Sequence, residues 1–169
     1  MIWRGISFQG LVPPQAPLFV DEMCKKYDST SKTVKANTYA QMIKNEVRNG
    51  VDRVFPNGDA IFQDDGASIH RLQVSLEAVS STFSSRVSPK DQASKMADVW
   101  PIANIWSIVK TKLDTKNHKN LPELKSDIKK IWREINGDKE MLRRMMASIP
   151  RRLAAVIQKK GDQIRKNDY

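Results

Sequence analysis

The sequence predicts an α/β domain with a helical C-terminal part, and three observations predict it. Short runs of β-forming residues, broken by Gly and Pro, fill residues 1–20. One alternation of helix and strand patterning follows over residues 37–87. From Pro101 onward every apolar stripe has helical spacing.

The elements follow in order. "MIWRGIS" and "APLFV" (Ala16–Val20) flank the turn-rich "GLVPPQ", which predicts two antiparallel strands joined by a short loop. Residues 21–36 are polar and broken, and no element is expected there. Asn37 or Thr38 caps a helix with Tyr39, Met42, Ile43 and Val47 on one face and Asn49-Gly50 as its stop. "DAIFQDD" (Asp59–Asp65) is a short apolar strand ending in two acids, which places carboxylates at a sheet's carboxyl edge, where α/β folds keep their sites. Ile69, Leu72, Leu76 and Val79 form a helical stripe, and Phe83 to Val87 is a last strand. Pro101 opens a helix with Ile102, Ile105, Trp106 and Val109 at i, i+3, i+4 and i+7. "LPELKSDIKKIWREI" makes the next. "DKEMLRRMMASI" and "PRRLAAVIQKKG" make two more, divided by Pro150, and Gly161 ends the last.

The length suits one domain, 1–169, able to bury a core without disulfides or metals. No apolar run reaches the roughly 18 residues of a membrane span, so no membrane partner is expected. The start lacks the pattern of a signal peptide, and Cys24 alone supplies neither a disulfide nor a cysteine zinc site. An intracellular protein is the simplest reading. Net charge is +10, and residues 110–169 carry 17 Lys/Arg against 8 Asp/Glu. Such asymmetry suits a polyanion, nucleic acid above all, although a solvated face with surplus lysine gives the same numbers. The candidate contacts are the pairs Arg143-Arg144, Arg151-Arg152 and Lys159-Lys160, with Arg165 and Lys166.

Other candidates weigh less. Asp65, Ser68 and His70 share one short segment, whereas a catalytic triad draws its members from separate elements. His118 is expected to be exposed in a polar loop. Trp106 and Trp132, spaced with isoleucines, read as core rather than as stacking platforms.

Four stretches, in order, are similar to mariner-type transposases. "IWRGISFQG" is similar to the family's second strand and turn. "FQDDGASIH" resembles "QQDNAPxH", with Gly66 for Asn and Ser68 for Pro. "DVWPIANIWSIVK" resembles "DLNPIENLWxxLK", and "SIPRRLAAVIQKKG" resembles "MPRRLxAVIxAKG". Together they span nearly the whole chain. The resemblance implies an RNase H-like mixed sheet and a DDE site in which three acids hold two divalent ions, magnesium or manganese. It places the second acid on Asp65 and puts Ala103 where the third, a glutamate, is lost. The first acid belongs to a strand ahead of "IWRGIS", so the sheet is expected to lack its first, central strand. Asp65 alone is then an insufficient metal site, and no cofactor is expected. Asp64 is expected on the opposite face of the strand, and Asp98 outside the helix and turned away. The family's matching histidine implies that His70 caps or packs near the helix start, and Trp100, in place of a polar family residue directly before Pro101, is the odd one out.

What the resemblance implies is a degenerate, catalytically inactive DDE domain that binds DNA weakly and without sequence preference, in the nucleus. The family's helix-turn-helix reader lies ahead of this domain and is not expected here. Two alternatives stay open: a transposase fragment completed by an upstream segment, and a domesticated protein-interaction module. A homo-oligomer, or a partner's strand completing the sheet, is the further expectation.

Overall fold

A computed structural model describes residues 1–28, 33–91 and 96–168, the side chain of Lys166 excepted. The class is mixed α/β. Four two-residue strands open it: β1 (Ile2–Trp3), β2 (Gly5–Ile6), β3 (Leu11–Val12) and β4 (Leu18–Phe19). Two more, β5 (Ile61–Phe62) and β6 (Ser85–Arg86), come later. Among the described residues they form three separate two-stranded ladders. The chain divides into two compact units, one of Met1–Arg4 with Pro17–Lys95, the other of Gly5–Ala16 with Met96–Tyr169.

In the first unit β1 pairs antiparallel with β4, Ile2 opposite Phe19 and Trp3 opposite Leu18. Helix α1 (Val20–Tyr27) follows at once, in a stretch where the sequence predicts no element. Its signals are faint but physical. Val20 and Cys24, one turn apart, are buried, while Asp21 and Glu22 begin the helix and Lys25 and Lys26 end it, matching its dipole. Next come α2 (Ala36–Met42), a π turn (Ile43–Val47) and α3 (Arg48–Val54). Tyr39, Met42, Ile43 and Val47 are buried as expected. The helical path does not stop at Asn49-Gly50, because Val51, next on the same stripe, is also buried. Burying a valine yields about 1.5–3 kcal/mol, more than the roughly 1 kcal/mol that a helical glycine costs. A 3-10 turn (Ser68–Arg71) precedes α4 (Gln73–Thr82). The helix thus starts later than predicted, and Leu72 is left exposed before it while Ser75, Ala78 and Val79 face inward. β6 lies parallel to β5.

The second unit is helical: α5 (Ile102–Asp114), α6 (Leu121–Gly137), α7 (Lys139–Ala147) and α8 (Ile149–Gln158). Its core gathers Leu11, Ile105, Val109, Ile131, Trp132, Ile135 and Leu142. Trp132 is core, as expected. Trp106 is not: Ile105 and Val109 take the inward face of α5, and the indole is 40% exposed. Asn120 caps α6 through the Glu123 N–H (2.9 Å), and Asp138 caps α7 through that of Met141 (2.9 Å). The last two helices part at Ser148, and Pro150 sits in the first turn of α8, where no N–H is required. Lys160 (φ 54°) and Gly161 (φ 94°) end the helical path. The N–H of Gly161 returns to Val156 O and that of Lys160 to Ile157 O, the two bonds of a Schellman stop.

The proline-rich segment between β3 and β4 has few N–H groups to pair, so α6 supplies its partners. Trp132 Nε1 donates to Pro13 O (2.8 Å) and Asn136 Nδ2 to Pro14 O (3.1 Å), while Asn136 Oδ1 accepts from the Leu11 N–H (2.9 Å). A Cβ at Gly10 (φ 148°) would lie 2.7 Å from that same Oδ1, so the approach requires glycine. β2 pairs antiparallel with β3 just before this segment. Among the described residues no helix is long and apolar enough to cross a membrane.

A second, smaller cluster gathers Val99, Ala155 and Ile164, and Arg152, bonded to Val99 O, is only 5% exposed. Its Nη1 donates to the carbonyls of Asp98 (3.2 Å) and Val99 (3.4 Å) and to Asn104 Oδ1 (3.1 Å). Removing the guanidinium leaves buried acceptors unpaired. Arg152→Met is therefore expected to cost about 2–4 kcal/mol in urea unfolding, and the exposed Arg151→Ala no more than about 0.5 kcal/mol.

Candidate functional site

Among the described residues, the two acids at the end of β5 cluster with His70. Strand geometry ends at Phe62, and Gln63 to Ala67 are irregular, so the alternation that would send Asp64 and Asp65 to opposite faces does not apply. Both carboxylates turn toward His70. Its Nδ1 lies 3.0 Å from Asp65 Oδ1 and 4.0 Å from Asp64 Oδ1. The nearer contact is close without being an aligned hydrogen bond. One ligand atom from each of the three residues falls within 4.8 Å of the others.

The loop is built to bring them together. The N–H of Gly66 donates to Asp64 Oδ1 (2.8 Å) and that of Ala67 to Asp65 Oδ1 (3.1 Å), two turns closed by the acids themselves. Gly66 has φ 73°, and a Cβ there would lie 2.8 Å from the Arg71 guanidinium. Arg71 Nη1 in turn donates to Pro89 O. The imidazole of His70 packs on the buried Tyr39 ring, centroids 4.6 Å apart, so this histidine packs as expected. Burial, and next the negative charge of Asp64, push the Tyr39 phenol well above its usual range. From the neighbouring strand Arg86 Nη2 reaches Asp64 Oδ2 at 3.2 Å.

The two acids differ sharply. The Asp64 side chain is 3% exposed, whereas that of Asp65 is 78% exposed. His70 first, then the Ala67 N–H, hold the Asp65 carboxyl down to about 2 against the opposing cost of burial.

Two divalent ions would need oxygen donors free to bind them. Asp64 has both oxygens engaged, Asp65 has one engaged, and an imidazole is a poor ligand for magnesium. The residues present do not fit a two-ion centre.

The remaining candidates fall elsewhere. Ala103 opens the second unit's α5, its N–H bonded to Trp100 O (3.2 Å). Asp98 lies outside that helix as expected, but it is occupied: Oδ2 accepts the Ile164 N–H at 2.8 Å. Trp100 packs against the cluster of Val99, Ala155 and Ile164. His118 is not simply exposed, for its Nε2 lies 3.1 Å from Asp127 Oδ2. Of the basic candidates, Arg143, Arg144, Arg151 and Lys160 are exposed. Arg144 makes a loose 3.9 Å contact with Glu140 one turn away. Arg152 is buried, and Lys159 Nζ is 2.7 Å from Asp168 Oδ2. Arg165 is exposed, and the Lys166 side chain lies outside the described residues. Lys130 and Arg133, exposed on α6, join the basic surface; the pattern "KKIWREI" held the signal, since both flank its apolar positions.

No protein-family model, curated protein or solved structure matches the chain.

Asp65 has a lowered carboxyl, so it stabilises the fold above 3.8 and loses that contribution as pH falls toward about 2. Asp65→Asn should be less stable than the wild type near neutrality and should lose less stability across that acid window. Urea titrations of both proteins through the window test the difference.

Proposed function

We propose that the chain is a transposase-derived nucleic-acid-binding domain of the DDE, RNase H-like type that has lost strand-cleaving activity. The observation that carries the binding half is the exposure of Arg143, Arg144, Arg151 and Lys160 within a segment of net charge +9. Exposed guanidinium and ammonium groups bind phosphates without reading sequence, and release counterions as they do so. The loss of activity rests on Ala103 in the "PIANIW" stretch and on the poor fit of Asp64 and Asp65 to divalent ions. In this reading Asp65 is the remaining acid, magnesium or manganese the ancestral ions, and the nucleus the site of action. DNA is bound weakly and non-specifically.

A second reading has one observation in its favour. Among the described residues β5 and β6 form a separate two-stranded parallel ladder with Ile61 69% exposed, and such ladders are seldom stable alone. A strand from a longer version of the chain, or from a partner, would extend it.

Titration of a random DNA duplex tests the binding. Affinity should fall at least about tenfold between roughly 50 and 200 mM salt. It should fall further in Arg143→Ala/Arg144→Ala/Arg151→Ala, a set that spares the structural Arg152. Salt-independent binding, or none, sinks the proposal. Incubation of DNA with magnesium or manganese should yield no cleavage; cutting that disappears in Asp65→Asn shows an active enzyme.

A further inference from the structure

We infer that the acidic end of β5 is neutralised from within the chain, with Arg86 as the built-in counter-ion of Asp64, so that this strand end folds and persists without a divalent cation. The inference concerns the first unit alone and stands whether or not the second unit binds nucleic acid.

Three observations carry it. Asp64 is buried, and a buried carboxylate must be paired or it destabilises the fold. Its oxygens are divided between the chain's own donors: Oδ1 takes the Gly66 N–H and Oδ2 takes Arg86 Nη2. The donor is also placed by the fold. β5 and β6 run parallel with Phe62 opposite Arg86, which brings the guanidinium to the residue two places beyond Phe62. Only 14% of the Arg86 side chain is exposed, and its guanidinium carbon lies 6.0 Å from the centre of the Phe62 ring. An apolar backing of this kind holds the cation in place and limits the screening that weakens surface pairs.

The third observation is what remains for an ion. Asp65 is an exposed side chain whose Oδ1 already accepts the Ala67 N–H, and His70 Nδ1 already lies against that same oxygen. Magnesium demands near-octahedral oxygen ligation. A second positive charge here would also meet the guanidinium at short range. Arg86 thus supplies the positive charge that a metal would otherwise bring.

The full chain tests this in two ways. Thermal unfolding of the wild type in EDTA and in about 10 mM magnesium or manganese chloride should differ by less than about 1 °C. A larger stabilisation that vanishes in Asp65→Asn overturns the inference; one that survives Asp65→Asn lies elsewhere and leaves it standing. Arg86→Gln should lower the wild-type midpoint by at least about 5 °C, and manganese should raise the midpoint of this variant more than that of the wild type. Arg86→Lys, which keeps the charge, should recover part of the loss. An Arg86→Gln protein as stable as the wild type, or an Arg86→Lys protein no better than Arg86→Gln, shows that Arg86 is not the counter-ion.

Discussion

Arg152 enters α8 with a charge that water does not reach, and the helical unit is arranged to satisfy it. The carbonyls of Asp98 and Val99 and the amide oxygen of Asn104 converge on one nitrogen of its guanidinium. Each acceptor belongs to the turn before α5 or to the first turn of that helix, so the start of α5 is fastened to α8 whatever stands at position 103. The Asp98 side chain extends the arrangement by accepting the Ile164 N–H, which fixes the segment after α8. A buried guanidinium requires such acceptors, because hydrogen bonds must replace the hydration it loses. Two of the stretches that resemble transposases, "DVWPIAN" and "PRRL", therefore meet in a polar contact that is structural. These contacts do not involve the side chain at position 103.

The first unit meets the same requirement with the charges reversed. There the buried group is a carboxylate, Asp64, and the donors are a guanidinium and a turn N–H. In both units an arginine fastens an irregular stretch that hydrogen-bonded ladders leave unsupported. With strands of two residues, ladders support little of this chain. Side chains carry the burden, as Trp132 and Asn136 do for the backbone around Pro13 and Pro14.

Legibility in the sequence followed how local each signal was. The helices from Ile102 onward were readable because their stripes repeat over several turns and because Pro101, Pro150 and Gly161 mark boundaries. Helix α1 was missed because eight residues hold only two buried apolar positions, too few to show a period. The stop at Asn49-Gly50 misled because a local breaker was outweighed by burial of Val51, which depends on what packs over it. The Asp64, Asp65 and His70 cluster was half visible. Both acids and the histidine were noted, but their convergence depends on strand geometry ending at Phe62, and the arrival of Arg86 depends on the β5–β6 register. Neither is encoded within a few residues of the acids.

The surplus charge of the C-terminal segment shows the same limit. Counting lysines and arginines treats each as free to meet a phosphate, yet several are held by acids of the chain. Lys112 reaches Glu134 (2.8 Å), Lys116 reaches Asp127 (2.9 Å) and Lys159 reaches Asp168 (2.7 Å). Arg152 is withdrawn altogether. In the proposed reading, the exposed basic side chains open to a polyanion include Arg143, Arg144 and Arg151 with Lys160, Arg165, and Lys130 with Arg133 on α6. Since the salt dependence of phosphate binding scales with the number of phosphates neutralised, the proposed binding would have a slope set by accessible side chains, which the net charge overstates. The distinction also separates two ways of losing affinity. In the proposed reading, substituting an exposed arginine would remove a phosphate contact and spare the fold, whereas substituting Arg152 would weaken the fold itself.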